Sequence, residues 1–265
     1  MLIDGLAMGG LPEQVEPHAD RLRILALVHH PLADETGLDA LRRQAFLESE
    51  TRALAAARRV IVTSSHTARG LSRLGVAEER IRVVEPGVEP SSLAASALDL
   101  KDDDRPQRLL CVATLTPRKG QDLLIEALAG LTDRDWECEA VGSHERDPDY
   151  AARLVAETGR RGLSERLHWS GEKDADGLAA AYHRADLFVL PSHYEGYGMV
   201  VTEALADTLP PTAGMTLPPG DALALRDALA RWLDDPDWRR QLRQGACPGL
   251  CPEAPGDADH PERGR

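Results

Sequence analysis

The stretch Leu187–Ala206 reads LFVLPSHYEGYGMVVTEALA and decides the fold of the surrounding chain. Its first four residues, Leu187–Leu190, are all apolar, as expected of a strand that is buried on both sides. A turn with two glycines follows, and Met199–Ala206 then has the pattern of a helix. In open α/β sheets, ligands bind beyond the carboxyl ends of the strands, where such a turn offers free backbone N–H groups. The stretch therefore predicts a strand, a ligand-binding turn and a helix of an α/β fold.

The same alternation of short apolar runs and helical patterns extends over most of the chain. Strands are predicted at Ile24–His29, Arg59–Thr63, Ile81–Glu85, Arg108–Thr114, Trp136–Val141, Arg166–Ser170 and Leu187–Leu190, with Leu2–Asp4, in the segment from Met1 to Leu6, as a further candidate. Helices are predicted at Leu38–Ala57, Ser65–Leu74, Gln121–Leu131, Asp149–Gly162, Asp174–Ala185, Met199–Ala206, Asp221–Asp234 and Pro236–Gln244. This order predicts an α/β protein with parallel sheets covered by helices.

Residues 89–107 interrupt the alternation with prolines, serines and the acidic cluster Asp102–Asp104, which indicates a linker between domains. We expect a partial first domain over residues 1–95 and a second domain over residues 105–245. Residues 246–265 are rich in Pro, Gly and Asp and have no periodicity, so we expect a disordered tail.

Charge and cysteine content argue against a nucleic-acid-binding protein and against a cysteine-based metal site. The 265 residues carry 44 acidic and 31 basic side chains, a net charge of −13, which disfavours a nucleic-acid partner. Cys111 and Cys138 lie in apolar runs and are interpreted as core residues, whereas Cys247 and Cys251 have no His or Cys cluster around them to complete a metal site. Because no leader pattern and no apolar run of about 20 residues is found, we expect a cytoplasmic protein.

Two carboxylates lie on the opening stretch. Glu195 is in the glycine turn and Glu203 is eight residues later on the predicted helix. Two carboxylates with this spacing can bind two sets of hydroxyls on one elongated ligand. The alternative is structural, since glycine turns before helices are common and an acidic residue near a helix start is favourable by itself.

A second turn of the same kind carries positive charge. Arg118 and Lys119 follow the strand Arg108–Thr114, and Gly120 precedes the helix Gln121–Leu131. Basic side chains at a strand-to-helix turn can bind a diphosphate, adding their charge to that of the helix N-terminus. The alternative is a solvated loop that ends in a glycine.

Together, the two turns resemble those of glycosyltransferase family 4, a retaining group with the GT-B architecture of two Rossmann-type domains. The E-x7-E pattern of that family falls on Glu195 and Glu203, and VGS at 141–143, WSGE at 169–172 and ADLFVLPS at 185–192 occur in the expected order. The resemblance extends from about Ile24 to Gln244. It implies a metal-independent transfer of a sugar, with retention, from a nucleotide diphosphate sugar to an acceptor that the sequence does not name (a glycan, a lipid or a small molecule). No cofactor is implied.

The resemblance also implies a role for each residue that matches the family pattern. His29, His30 and Glu195 are implied as catalytic, with either histidine reaching the sugar and the acceptor; a loop His pair with no ligand is the alternative. The implied donor-binding residues are Arg118, Lys119, Gly142, Glu195, Gly196, Tyr197, Gly198, Met199 and Glu203, with Lys119 and Arg118 on the diphosphate and Glu203 on the ribose. Many members place an arginine where this chain has Ala113. Thr63, Ser64 and Ser65 lie near the same cleft or else cap the following helix.

Three departures from the family pattern bear on activity. The chain begins late, so the first domain is expected to be incomplete; a strand is expected to be deleted after Ala206; and the tail after Gln244 is atypical. These departures leave a degenerate, non-catalytic remnant open as an alternative to an active enzyme. A GT-B phosphorylase or epimerase is a weaker alternative, because no matching lysine motif or carboxylate set is found. Exposed sheet edges favour a homo-oligomer.

Overall fold

The chain forms two separate parallel sheets. The computed structural model describes residues 1–35, 37–86, 105–195 and 213–246. Within these ranges the first sheet has the strand order β1-β2-β3-β4 and the second β7-β6-β5-β8, and every strand pair is parallel. The strands are β1 (Leu2–Asp4), β2 (Leu25–Val28), β3 (Arg59–Val62), β4 (Ile81–Val83), β5 (Gln107–Val112), β6 (Trp136–Val141), β7 (Leu167–Gly171) and β8 (Leu187–Phe188). The predicted α/β fold with two Rossmann-type sheets is confirmed.

The first sheet packs with four helices: α1 (Gly5–Gly9), α2 (Pro12–Val15), α3 (Ala40–Ala56) and α4 (Ser65–Gly70). The further strand predicted at Leu2–Asp4 is confirmed as β1. Asp4 ends the strand and caps α1, because its carboxylate accepts the N–H of Leu6 at 2.8 Å. The short helices α1 and α2 were not predicted, since four or five residues give no readable helical period.

The second sheet packs with α5 (Gln121–Ala129), α6 (Pro148–Arg160), α7 (Ala175–Arg184), α8 (Ala222–Asp234) and α9 (Pro236–Ala246). Asp147, Asp174 and Asp221 cap α6, α7 and α8 by accepting a backbone N–H with the side chain. Four of these five helices pack in the larger core, with β5, β6 and β7. The fifth, α7, lies on the opposite face against Leu110, Val112 and Val141.

Trp136 anchors the larger core. Its indole is 1% exposed, donates Nε1–H to Leu131 O at 2.7 Å and carries the Arg166 guanidinium 3.9 Å from a ring centroid. Cys111 and Cys138 are both buried, which confirms them as core residues. Burial raises the pKa of the Cys111 thiol to about 12, so this thiol stays protonated at neutral pH.

Several predicted segments lie outside the described residues: the helix Met199–Ala206, the tail after residue 246 with Cys247 and Cys251, and most of the linker. The limits of the two domains therefore stay a prediction. Among the helices that the structure describes, none combines the length and the apolar character that a bilayer crossing requires.

Candidate functional site

The carboxyl ends of strands from both sheets meet at one place. The turns after β5 and β8 belong to the second sheet, and we call them the second-sheet edge. The loop after β2 and the start of α4 belong to the first sheet, and we call them the first-sheet edge. Arg118 and Glu35 join the two edges with an ion pair of 3.3 Å between Nε and Oε1. The Tyr194 ring lies 5.3 Å from that of His66 and 6.3 Å from that of His30, measured between centroids. The predicted ligand-binding edges thus face each other.

Lys119 and Glu195 form the closest charged pair of this region. The ammonium Nζ is 2.5 Å from Glu195 Oε1, and the Ser192 hydroxyl donates to the same oxygen at 2.6 Å. The two side chains are 14% and 25% exposed, so solvent screens them less than it screens a surface pair. The two turns that the sequence singled out therefore meet through their charged residues.

Gly120 permits this approach of the two turns. Its φ is +64°, and a Cβ at this position would lie 2.2 Å from Pro191 O, far inside van der Waals contact. The His193 N–H donates to Arg118 O at 2.9 Å and completes the backbone contact between the turns. Only a residue without a side chain fits here.

Arg118 points away from Lys119. Its Nη1 donates to Tyr194 O at 3.1 Å, and its Nε pairs with Glu35 of the first-sheet edge. Neighbouring basic residues thus make different contacts: Lys119 pairs within the second-sheet edge, and Arg118 links the two edges.

The structure separates the two candidate histidines. His30 Nε2 lies 3.2 Å from Glu35 Oε2, the side chain is 15% exposed, and its ring faces Tyr194. His29 is 48% exposed and pairs with Asp4 at the end of β1, at 3.4 Å. The structure thus brings His30, rather than His29, towards the second sheet. The catalytic roles of both stay a prediction.

Ser64 caps α4, since its hydroxyl accepts the Thr67 N–H at 3.0 Å. The capping interpretation of Thr63, Ser64 and Ser65 is therefore confirmed for Ser64. The hydroxyl of the fully buried Thr67 donates to His29 O at 3.2 Å. This bond connects α4 to the loop after β2 that carries His29 and His30, which we call the histidine loop.

Glu50, on α3, holds the backbone of the histidine loop in place, and the sequence did not predict this role. It is 1% exposed on α3, and its Oε2 accepts the Leu32 N–H at 2.9 Å. Burial raises the pKa of Glu50 to about 7; Asp34 adds to this and His30 opposes it. In the sequence, Glu50 is one of several charged residues of the predicted helix, and nothing marks it as buried. Glu35, Ser192 and Tyr194 were likewise not predicted as site residues.

Gly142 has a packing reason that is independent of any ligand. A Cβ there would lie 2.0 Å from Ala113 O, so only glycine lets the end of β6 pass the end of β5. Its place in a nucleotide cleft stays a prediction. Gly196, Tyr197, Gly198, Met199 and Glu203 lie outside the described residues. Within the described part of the chain, no cluster of three or more His, Cys, Asp or Glu side chains is placed to hold a metal ion.

A groove of about 430 Å³ lies elsewhere, on the α7 face of the second sheet. Its polar lining is largely self-paired, because Glu139 contacts Ser170, Lys173 and Arg184 at 2.8 to 3.3 Å. None of the predicted site residues that the structure describes lines it. We therefore place the candidate site at the facing edges, not in this groove.

Two family models match the chain. The model described as glycosyl transferases group 1 matches residues 98–215, which contain Lys119 and Glu195. The model described as Glycosyltransferase Family 4 matches residues 15–92, which contain the histidine loop and α3. The chain has the GT-B fold, and parts of both of its sheets match glycosyltransferase family models.

Individual glycosyltransferases show the same likeness. A D-inositol 3-phosphate glycosyltransferase of Mycolicibacterium gilvum (strain PYR-GCK) is 33% identical over 180 residues, which cover 65% of this chain and 40% of the relative. Sucrose-phosphate synthase of Thermosynechococcus elongatus superposes with a TM-score of 0.73 at 26% identity, over 92% of this chain and 67% of that one. Anabaena HepE, in complex with UDP and glucose, superposes with a TM-score of 0.71 at 19% identity, over 89% and 70% of the two chains. This GT-B chain spans less than half of the length of the curated relatives that it matches.

Proposed function

We propose that this GT-B chain transfers a sugar from a nucleotide diphosphate sugar to an acceptor, with retention of configuration and without a metal ion. The observation that carries the proposal is the Lys119–Glu195 pair, 2.5 Å long, at the adjoining carboxyl ends of β5 and β8. A cation for a diphosphate and a carboxylate for sugar hydroxyls stand side by side where ligands of open α/β sheets bind.

Lys119 supplies the charge that the leaving diphosphate needs. An ammonium has three hydrogens and the bond to Glu195 uses one, so Lys119 can hold Glu195 and a phosphate oxygen together. As the bond from the sugar to the diphosphate breaks, negative charge grows on the phosphate oxygens and a preplaced cation stabilises it. Glu195 accepts hydrogen bonds from the hydroxyls of the sugar. His30 lies at the other edge, with its ring 6.3 Å from that of Tyr194.

Arg118 is committed to other contacts. The resemblance assigns it to the diphosphate, yet it is 18% exposed, pairs with Glu35 and donates to Tyr194 O. A phosphate oxygen that approached it would meet the negative charge of the Glu35 carboxylate, and Arg118 does not contact Glu195. We therefore assign the main diphosphate contact to Lys119.

A second candidate is a nucleotide-binding chain without turnover. The observation that favours it is that both basic side chains of the turn are already paired with carboxylates. Binding of UDP together with no release of UDP from UDP-glucose, over hours and with acceptors supplied, favours this candidate.

Calorimetric titration with UDP and with uridine tests the diphosphate assignment. UDP and UDP-glucose are the first probes because HepE structures contain them. In Lys119→Met, the affinity for UDP is expected to fall about tenfold or more, the scale of one lost charge-assisted contact, while uridine binding is unchanged. Lys173→Met is the matched control, since that lysine pairs with Glu139 away from the facing edges. Equal losses for UDP and uridine would refute the assignment, and a wild type that binds neither UDP nor GDP would refute the proposed function.

A further inference from the structure

We infer that Tyr194 is a positioning residue, which couples the approach of the first-sheet edge to the placement of Glu195. The inference rests on the proposed function of Glu195 at the donor sugar. It concerns a residue that was not among the predicted site residues, and it assigns to that residue a task on each of the two edges.

The side chain of Tyr194 belongs to the first-sheet edge. Its ring lies 5.3 Å from the His66 ring and 6.3 Å from the His30 ring, both tilted by 54°. Its hydroxyl is a neighbour of the Thr67 side chain. Burial in this setting raises the pKa of Tyr194, so the hydroxyl is neutral at physiological pH.

Thr67, next to that hydroxyl, is itself fixed in position. It is 0% exposed, it donates to His29 O at 3.2 Å, and its backbone N–H is held by the capping Ser64. A buried side chain with this many fixed partners has little freedom to follow Tyr194. The Tyr194 ring must therefore take the position that the first-sheet edge sets.

The backbone of Tyr194 belongs to the second-sheet edge. Its carbonyl accepts from Arg118 Nη1 at 3.1 Å, and Glu195 is the next residue. Consecutive Cα atoms are held about 3.8 Å apart by the peptide unit, so a shift of Tyr194 is transmitted directly to Glu195. Glu195 in turn holds Lys119 at 2.5 Å. Contacts made by one edge thus fix a charged pair that belongs to the other.

The expected signature is a difference between two ligands. UDP contacts Lys119 but carries no sugar, whereas UDP-glucose also requires Glu195 in place. Losing the Tyr194 side chain should weaken UDP-glucose more than UDP. A fault that only lowered the fraction of folded protein would reduce the stoichiometry for both ligands and leave this ratio unchanged.

Calorimetry on Tyr194→Ala, Tyr194→Phe and wild type tests the inference. We expect Tyr194→Ala to weaken UDP-glucose about tenfold and UDP less than about threefold, and Tyr194→Phe, which keeps the ring, to lie between wild type and Tyr194→Ala. Tyr150→Phe is the control, because it removes a hydroxyl bond to Asp122 of 2.8 Å within the second sheet's helices and should change neither affinity. Tyr194→Ala combined with Glu195→Gln should lose little more than Glu195→Gln alone, since both act on one contact.

Equal weakening of UDP and UDP-glucose in Tyr194→Ala, or additive losses in the double variant, would overturn the inference. If wild type binds neither ligand, the proposed function fails and small-angle scattering decides the inference. Tyr194→Ala should then show a larger radius of gyration than wild type and Tyr150→Phe. Identical scattering from all three proteins would overturn it.

Discussion

The two facing edges are held in shape by different means. At the second-sheet edge, backbone packs against backbone: Gly120 passes under Pro191 O and Gly142 passes Ala113 O, at distances that exclude any Cβ. At the first-sheet edge, side chains hold the loop: the Glu50 carboxylate accepts the Leu32 N–H and Arg43 donates to Ala33 O at 2.8 Å. One edge depends on the absence of side chains and the other on polar side chains in the right charge state.

The two edges are therefore sensitive to different perturbations. Backbone packing of glycines does not respond to pH, but it tolerates no added atom. A buried carboxylate tolerates small changes of shape, but its charge depends on pH. The proposed donor-binding residues Lys119 and Glu195 lie beside Gly120, at the edge that has the first kind of support. His30 falls on the second kind.

The largest effect is expected from breaking the second-sheet edge. In Gly120→Ala, the new Cβ would lie 2.2 Å from Pro191 O, and the backbone would also have to hold φ at +64°. We expect the free energy of unfolding to fall by about 3 kcal/mol or more and UDP binding to be lost, because the turns must separate. Urea denaturation and calorimetry measure the two effects.

Gly162→Ala is the matched control for that variant. Gly162 has a similar φ of +70°, but no heavy atom lies within 4 Å of the position that a Cβ would take there. It should lose only about 1 kcal/mol, from backbone strain, and should bind UDP like wild type. Equal losses in the two variants would show that strain, and not contact with Pro191, is the reason for glycine at 120.

A smaller, pH-dependent effect is expected at the first-sheet edge. Glu50 has an ordinary pKa of 4.5 and a pKa of about 7 in the folded chain, so the folded chain binds more protons between these values. The stabilisation is therefore complete below about pH 4.5 and is lost as pH rises through 7, by up to about 3 kcal/mol. Glu50→Gln keeps an acceptor for Leu32 N–H and removes the titration.

Urea denaturation of wild type and Glu50→Gln at pH 5 and pH 8 checks this expectation. Relative to wild type, the variant should gain stability on going from pH 5 to pH 8. Since the two proteins differ only at residue 50, the difference between them isolates Glu50. Parallel pH dependences would mean that Glu50 does not titrate in this range.

Most of the fold could be predicted from local pattern. Apolar runs such as Leu109–Val112, all of which are buried, indicate parallel strands covered on both sides, and helix starts such as Asp174 carry a capping residue. Two short helices, α1 and α2, were not predicted. Three-to-five-residue elements are decided by capping and tertiary packing, which periodicity does not report.

The candidate site could be predicted only in part. Strand-to-helix turns located Lys119 and Glu195, and the structure pairs them. Glu35, Glu50 and Tyr194 could not be predicted, because each acts through a residue that is distant in sequence. The sequence pattern does not distinguish Arg118 from Lys119, since they are adjacent basic residues of one turn. Their side chains nevertheless pair with different edges, and the packing of the turns decides this.

The most direct test compares Arg118→Met with Lys119→Met in one calorimetric series with UDP. The two residues are neighbours, carry the same charge and lie on the same turn, but only Lys119 pairs with Glu195 at the proposed donor site. We predict about tenfold or greater loss of UDP affinity in Lys119→Met and less than about threefold in Arg118→Met, because the Arg118 guanidinium pairs with Glu35 of the other edge instead of Glu195. A loss in Arg118→Met as large as that in Lys119→Met would contradict the assignment of the two edges.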